Sequence, residues 1–410
     1  MKEHLKNLGR YAVVFLLCIA VFTAAMAAAF TIPNSAIESN QRQAAAVIES
    51  EGQYPRYFFD TSACQLDNFT DGLMLDRALN PDESRNPLAS AMDIEGYSRY
   101  WHGYQVLLRP ALMFLNYKQI RYLNMMLFFG LLAGVFSMMH RKMGLRPALG
   151  FLASMVACYA VIIPLSMQFM SVFVLMLLGC LWVLRRYERM SVRELLSFFL
   201  VLGMATNFFD LLTAPLLTLG MPLIICLYLE IAHRAGNRFL SSVKLLFFPS
   251  LAWGIGYGGC WVAKWAVGSL VLQRNVFAEA ASQIFFRVSG SEDYPVDRGE
   301  AISENFDRMF LDPGKRLLLL LGVLLGIWLL LALIFRMPAK RLACGAMILA
   351  VAAFPYAWFL VMANHSQIHY WFTYRIQAMT LFGVVCWLEL AVNWPALRDF
   401  VRKKLPGGKN

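Results

Sequence analysis

Apolar residues fall in runs of about 20 along most of the chain, and the polar segments between them are mainly short and basic. A helix crosses the hydrocarbon core of a bilayer with about 20 apolar residues. By that measure the sequence predicts ten spans, at about 11–33, 120–139, 148–164, 166–184, 195–209, 212–232, 245–272, 317–335, 342–362 and 376–394. The pair 148–164 and 166–184 is one continuous run, divided at Pro164 because proline interrupts a helix ladder. Segment 195–209 is the shortest and closes on Asn207 and Asp210. The first span follows Lys2, Lys6 and Arg10 and holds small residues at 24–29, a pattern shared by signal peptides and anchors. Its apolar run exceeds a signal core, so an uncleaved anchor is expected. The predicted fold class is therefore an all-α polytopic membrane protein of about ten transmembrane helices, with residues 1–410 forming one domain.

Composition agrees. The chain is 59% hydrophobic and 15% charged, with a mean hydropathy of +0.53; a soluble domain carries roughly 45–50% apolar and about 25% charged residues. Ordinary soluble and disordered classes are excluded. The net charge of +11 would suggest nucleic acid in a soluble protein, but here its distribution decides. With the N-terminus placed in the cytoplasm, the inner segments (1–10, 140–147, 185–194, 230–244, 336–341 and 389–410) hold 21 Lys+Arg and 6 Asp+Glu. The outer segments hold 15 Lys+Arg and 20 Asp+Glu. That asymmetry is the positive-inside bias, so both termini are expected in the cytoplasm and no nucleic-acid partner is implied. Seven of the eight cysteines lie in apolar runs and only Cys64 in a polar one, which excludes a disulfide framework and a CxxC zinc site.

Two outer loops are long, about 34–119 and 273–316, and loops of that size are usually functional or separately structured. Residues 39–50 predict a short amphipathic helix. Residues 97–109 mix aromatics with arginines and predict a helix at the headgroup level. The first loop also holds Asp67 and Asp71, which share a face if the segment is helical. Two neighbouring carboxylates can raise one pKa and supply a general base; equally, either can cap the helix that follows. Asp60 and Asp76 are weaker candidates. Arg99, His102 and Arg109 either meet anionic headgroups or form a cationic rim for a phosphate-bearing substrate.

Lys264 lies about eight residues, roughly 12 Å of helix, inside the outer end of its span. An ionisable group at that depth is a functional candidate, here for anion binding, with snorkelling or a structural ion pair as the alternative. Asp210 sits at an outer turn, where it caps the next helix or adds a second carboxylate. In the last outer loop, His365 and His369 have the spacing of a zinc pair, yet neither the intervening glutamate nor a third ligand is evident. With Tyr370, Trp371, Phe372 and Tyr374 they resemble a pocket wall for a sugar ring or lipid chain, and Arg375 can fork onto a phosphate. No metal and no cofactor is expected. The G-x-G-x-x-G match at Gly254, Gly256 and Gly259 lies inside an apolar span without a preceding strand, so it predicts close helix packing rather than a dinucleotide site. No D-x-D motif occurs.

These features together resemble the GT-C superfamily of integral-membrane glycosyltransferases: many spans, a cytoplasmic N-terminus, a large first outer loop with acidic residues, and aromatic and basic residues in later outer loops. The likeness covers the whole chain as architecture and rests on Asp67, Asp71, Lys264, His365, His369 and Arg375. It implies transfer of a sugar from a polyprenyl-phosphate donor to a lipid or cell-envelope glycan acceptor, at the outer face of a bacterial plasma membrane. One of Asp60, Asp67 and Asp71 would be the base. Lys264 and Arg375 would hold the lipid phosphate, and Arg99, His102, Arg109, Asp210, His365, His369 and Tyr370 would line the substrate site. A transporter or flippase of a lipid-linked saccharide, or a membrane acyltransferase using His102 or His369, would also suit many spans and an intramembrane lysine.

Overall fold

The computed structural model describes residues 2–233, 238–312 and 316–404. Parts of the predicted segments 230–244, 273–316 and 389–410 lie outside the described residues. The protein is all-helical; the described residues contain no strand, only isolated bridges at Arg56–Gln65 and Arg336–Val392. The first half runs through α1 (Lys2–Ala29), α2 (Glu38–Glu51), α3 (Asn68–Asp76), α4 (Pro87–Met92), α5 (Gln105–Leu112), α6 (Tyr117–Met143), α7 (Leu145–Ala157) and α8 (Met167–Arg186). Then come α9 (Val192–Phe209), α10 (Leu216–His233), α11 (Phe239–Leu272), α12 (Val276–Ser289), α13 (Arg298–Phe306) and α14 (Arg316–Ile334). The chain closes with α15 (Ala339–Ala352), α16 (Phe354–Val361), α17 (Ala363–Ile368), α18 (Tyr370–Thr373), α19 (Ala378–Ala391) and α20 (Trp394–Lys404).

Among the described residues, seven segments are long and apolar enough to cross a membrane: Leu8–Ala29, Tyr117–Met143, Met167–Arg189, Val192–Phe209, Leu216–His233, Phe239–Leu272 and Ala339–Val361. Each coincides with a predicted span. The other three predicted spans fall on shorter helices, α7, the apolar part of α14 from Gly322 to Ile334, and α19. The break in the 148–184 run lies earlier than Pro164. Tyr159 adopts a left-handed φ of 50° and residues 160–165 form a 3-10 turn, so α7 stops at Ala157. The predicted surface helix at 97–109 is likewise shorter: residues 97–104 are irregular, His102 has a φ of 54°, and only α5 is helical.

Local sequence fixes several boundaries. Asn116 with Gln119, and Ser191 with Glu194, form capping boxes that open α6 and α9. Gly144, at φ 95°, ends α6 where a side chain would be strained. In the bundle, α8, α10 and α19 are largely buried, whereas α1 presents Leu16 and Leu17 outward. Helices α9 and α11 pack backbone to backbone. A Cβ on Gly203 would lie 2.2 Å from the Trp253 carbonyl oxygen, and one on Gly256 2.1 Å from that of Leu200. Gly256 and Gly259, the latter against Phe15, thus serve the expected packing role, while Gly254 faces open space.

The connecting segments sort into two ends. At one, Lys142 pairs with Glu188 at 2.6 Å and Arg146 with Glu389 at 3.2 Å, joining segments predicted to be inner. At the other, the Gly103 amide donates to the Phe208 carbonyl and His365 bonds the Leu212 carbonyl, joining segments predicted to be outer.

Candidate functional site

The first-loop carboxylates have different surroundings. Asp67 is the N-cap of α3: it accepts from the Thr70 amide at 2.9 Å and the Thr70 hydroxyl at 2.8 Å. Burial, with a small contribution from Asp71, lifts its pKa to about 6. Asp71 is fully buried and accepts from Tyr117 Oη (2.6 Å), Ser166 Oγ (3.1 Å), Met167 N (2.8 Å) and Gln168 N (3.0 Å). The last two are the leading amides of α8, so Asp71 caps that helix from a distance of nearly a hundred residues along the chain. Each carboxylate oxygen of Asp71 thus accepts two hydrogen bonds, which gives it a capping place in the fold. Asp60 is exposed and pairs with Arg56, and Asp76 accepts from Gln41.

The expected cations also have separate duties. Lys264 is buried, donates to the Met92 carbonyl at 2.8 Å and lies 5.8 Å from the Trp101 ring, tying α11 to the end of α4. Arg375 is buried and donates to the carbonyls of Ala63 (3.0 Å), Cys158 (3.2 Å) and Trp371 (3.3 Å). These partners differ from those of Lys264, so the two residues do not form the joint anion clamp expected from sequence. Arg109, expected at the headgroups, is buried instead. It donates to the carbonyls of Ala29, Ala78 and Ile32 and so closes the C-terminal end of α1. Arg99 pairs with Glu279 at 2.8 Å and stacks on Tyr97. His102 contacts Tyr104 Oη at 3.1 Å and the Tyr97 carbonyl at 3.2 Å, and burial lowers its pKa to about 3. Tyr370 lies under the Arg308 guanidinium, 5.1 Å away.

What the structure does bring together is the α9–α10 turn, α12 and α17. Arg287 Nη1 on α12 lies 3.2 Å from His365 Nδ1 and 3.3 Å from His369 Nε2. A guanidinium only donates, so both ring nitrogens accept. His365 Nε2 faces the Leu212 carbonyl at 2.9 Å and therefore carries that ring's proton. Burial is the main cause that holds both histidines neutral, with His369 lowered to about 3. Among the described residues no carboxylate lies within ion-pair distance of Arg287.

Asp210 ends α9. Both its oxygens accept from the Thr213 amide at 3.1 Å, and burial raises its pKa to about 7. Tyr100 lies within electrostatic range of both Asp210 and Arg287. The adjoining Leu212 holds a φ of 64°, strained for a bulky residue. Buried polar atoms surround this turn. Asn207 lies one helical turn before Asp210, and among the described residues neither of its amide atoms has a hydrogen-bond partner. The same holds for Gln168 Oε1 and Ser366 Oγ. Gln168 accepts from Thr213 Oγ1 at 3.5 Å through its carbonyl, and Ser366 follows His365.

A ring chain links this cluster to Asp67. Tyr54, within electrostatic range of Asp67, meets Trp371 edge-on at 5.6 Å; Trp371 meets Phe372 at 4.8 Å, and Phe372 stacks on His369 at 5.0 Å. The sequence singled out His365, His369 and Asp210, which the structure places about one turn, but missed Arg287. Arg287 lies on α12, within the second long loop, and nothing in its local sequence links it to two histidines more than seventy residues later.

Fold and cluster together define a helical protein with several membrane-spanning segments and a buried polar cluster at one end of its bundle. Comparison with protein-family models, with curated proteins and with solved structures returns no match to the chain.

Proposed function

We propose that the protein is a membrane glycosyltransferase that moves a sugar from a polyprenyl-phosphate donor to an extracytoplasmic lipid or cell-envelope glycan. Ten membrane traverses with both termini in the cytoplasm would place the cluster at the outer face. The observation that carries the reading is Arg287, a half-buried guanidinium beside two neutral imidazoles and near the buried Asp210, with no carboxylate partner among the described residues. Such a group suits a phosphate oxygen bidentately.

In this reading the acceptor hydroxyl oxygen attacks the anomeric carbon and the bond from that carbon to the donor phosphate oxygen breaks. The electron pair leaves with the phosphate, whose charge Arg287 stabilises, and the hydroxyl proton passes to Asp210. A carboxylate whose pKa lies near 7 is suited to that transfer. Asp67, also raised, is the second carboxylate. The faces of Tyr54 and Trp371 suit a sugar ring, and the amide of Asn207 suits its hydroxyls. The test is transfer from a radiolabelled polyprenyl-phosphate sugar in proteoliposomes. Asp210→Asn and Arg287→Gln should each lower turnover at least about a hundredfold with normal expression and a melting temperature no lower than that of the wild type. Wild-type transfer by both variants, or saccharide movement with no covalent product, would overturn the proposal.

A further inference from the structure

Helix α20 follows α19 after two residues, at the end of the bundle where Arg146 pairs with Glu389. Its side chains sort into two faces. Trp394, Leu397, Phe400 and Val401 recur at helical spacing on one, and Arg398, Arg402 and Lys403 lie on the other. Asp399 is the single acid of the helix. The segment after α14 holds it in place: the Asn393 amide donates to the Phe335 carbonyl at 2.6 Å, and the Phe400 ring lies 5.4 Å from that of Phe335. Phe335 directly follows α14, an apolar helix whose last residues, Leu333 and Ile334, are exposed. Phe400 thus extends an apolar outer surface of the bundle, yet it is itself 48% exposed and Val401 43%. Arg336, also exposed, bridges to Val392 just before α20. Among the described residues, Arg336, Arg398, Arg402 and Lys403 have no carboxylate within ion-pair distance. Residues 405–410 add Lys409 and no acidic side chain.

We propose that α20 docks on a bilayer surface that carries anionic phospholipid. Phe400 and Val401 sink among the first acyl methylenes, and Arg398, Arg402 and Lys403 meet headgroup phosphates. Two observations select this occupant. The apolar face is continuous, through Phe335, with the exposed end of α14, so it meets the same surroundings as that helix. The opposite face is basic and unpaired, and basic amphipathic helices lie in the plane of a bilayer with strength set by apolar area and by attraction to anionic headgroups. An acidic protein or a nucleic acid would engage the arginines and leave Phe400 and Val401 in water. A bilayer of zwitterionic lipid would receive the apolar face but give the basic one no net attraction. The surface is independent of the glycosyltransferase reading, since none of its residues belongs to the cluster around Arg287.

The experiment is hydrogen–deuterium exchange of the full chain in nanodiscs of phosphatidylcholine alone or mixed with phosphatidylglycerol, with the same protein in detergent as reference. The amides of α20 should exchange at least about tenfold more slowly in the anionic discs, and added salt should narrow that gap. Exchange in the other helices should be the same in both discs. The triple variant Arg398→Gln, Arg402→Gln, Lys403→Gln should abolish the gap at an unchanged melting temperature, because these side chains hold no carboxylate in the fold. Phe400→Ser should speed exchange of α20 in both kinds of disc. Inorganic phosphate added to the phosphatidylcholine discs should leave α20 as it was. Equal exchange in the two discs, a gap that survives the triple variant, protection as strong in detergent as in anionic discs, or protection by free phosphate would overturn the proposal.

Discussion

Replacing Asp71 by alanine removes the single acceptor shared by Tyr117 Oη, Ser166 Oγ and the amides of Met167 and Gln168. Each bond to an ionised acceptor contributes about 1.5–3 kcal/mol net, and a donor left buried and unpaired costs about 1–3 kcal/mol. The four are not additive, because they converge on one carboxylate in a network that also includes Arg121, whose guanidinium donates to the Tyr117 hydroxyl at 3.2 Å. A loss of about 3–5 kcal/mol follows, the usual scale for breaking a buried charged network. Against a total stability of about 5–15 kcal/mol this is large. Thermal unfolding of detergent-purified protein, followed by fluorescence-detected size exclusion, should show a melting temperature about 4–6 °C lower. Asp71→Asn, which keeps one carbonyl acceptor, should fall between alanine and wild type. Transfer per folded molecule should stay within about twofold of wild type for both variants, since capping α8 is a positioning role. An Asp71→Ala protein with an unchanged melting temperature and no transfer would refute the assignment and make Asp71 the base.

Other outcomes follow from the same contacts. With a base of pKa about 7, transfer should rise with pH and level off above 8, standing at pH 6 at about a tenth of the plateau; a flat profile from pH 5.5 to 8.5 would exclude Asp210 as the base. Because the folded-state pKa of Asp210 lies above its ordinary 3.8, its contribution to stability is full below that value and fades as pH rises towards 7. Asp210→Asn should therefore stabilise the protein more at pH 8 than at pH 5, measured as melting temperature. Lys264→Met keeps the bulk of a buried chain and forfeits one bond to the Met92 carbonyl, so stability should change by no more than about 2 kcal/mol and transfer should persist; abolished transfer in a folded variant would return Lys264 to the site. Gly203→Val should prevent folding or cost more than about 3 kcal/mol, since its Cβ would sit 2.2 Å from backbone of α11, and a normal melting temperature would contradict the α9–α11 packing.

The membrane segments were legible because the bilayer imposes one requirement, a run of apolar residues of fixed length, and the seven long helices satisfy it. The breaks were less so. Nothing in the composition of 148–164 announces that Tyr159 turns left-handed and ends α7 ahead of Pro164. The local cap of Asp67 on its own helix could be read from spacing as one of two roles, but only tertiary contact shows that Asp71 caps the distant α8. Lys264, Arg109 and Arg375 drew attention as buried or membrane-level cations, and the same burial leads them to backbone carbonyls rather than to a common anion. Such carbonyl partners leave no trace in sequence, since every residue has one. Arg287 escaped for the converse reason. It sits in an unremarkable loop helix, and its meaning arises from two histidines more than seventy residues later.

The most direct measurement is a structure of the full chain in a lipid nanodisc with a non-transferable polyprenyl-phosphate sugar analogue bound. The account expects the phosphate within hydrogen-bonding distance of Arg287 and the anomeric carbon facing Asp210. A phosphate seated instead at Lys264 or Arg375, or an analogue that binds with no contact to the turn 210–213, would contradict it.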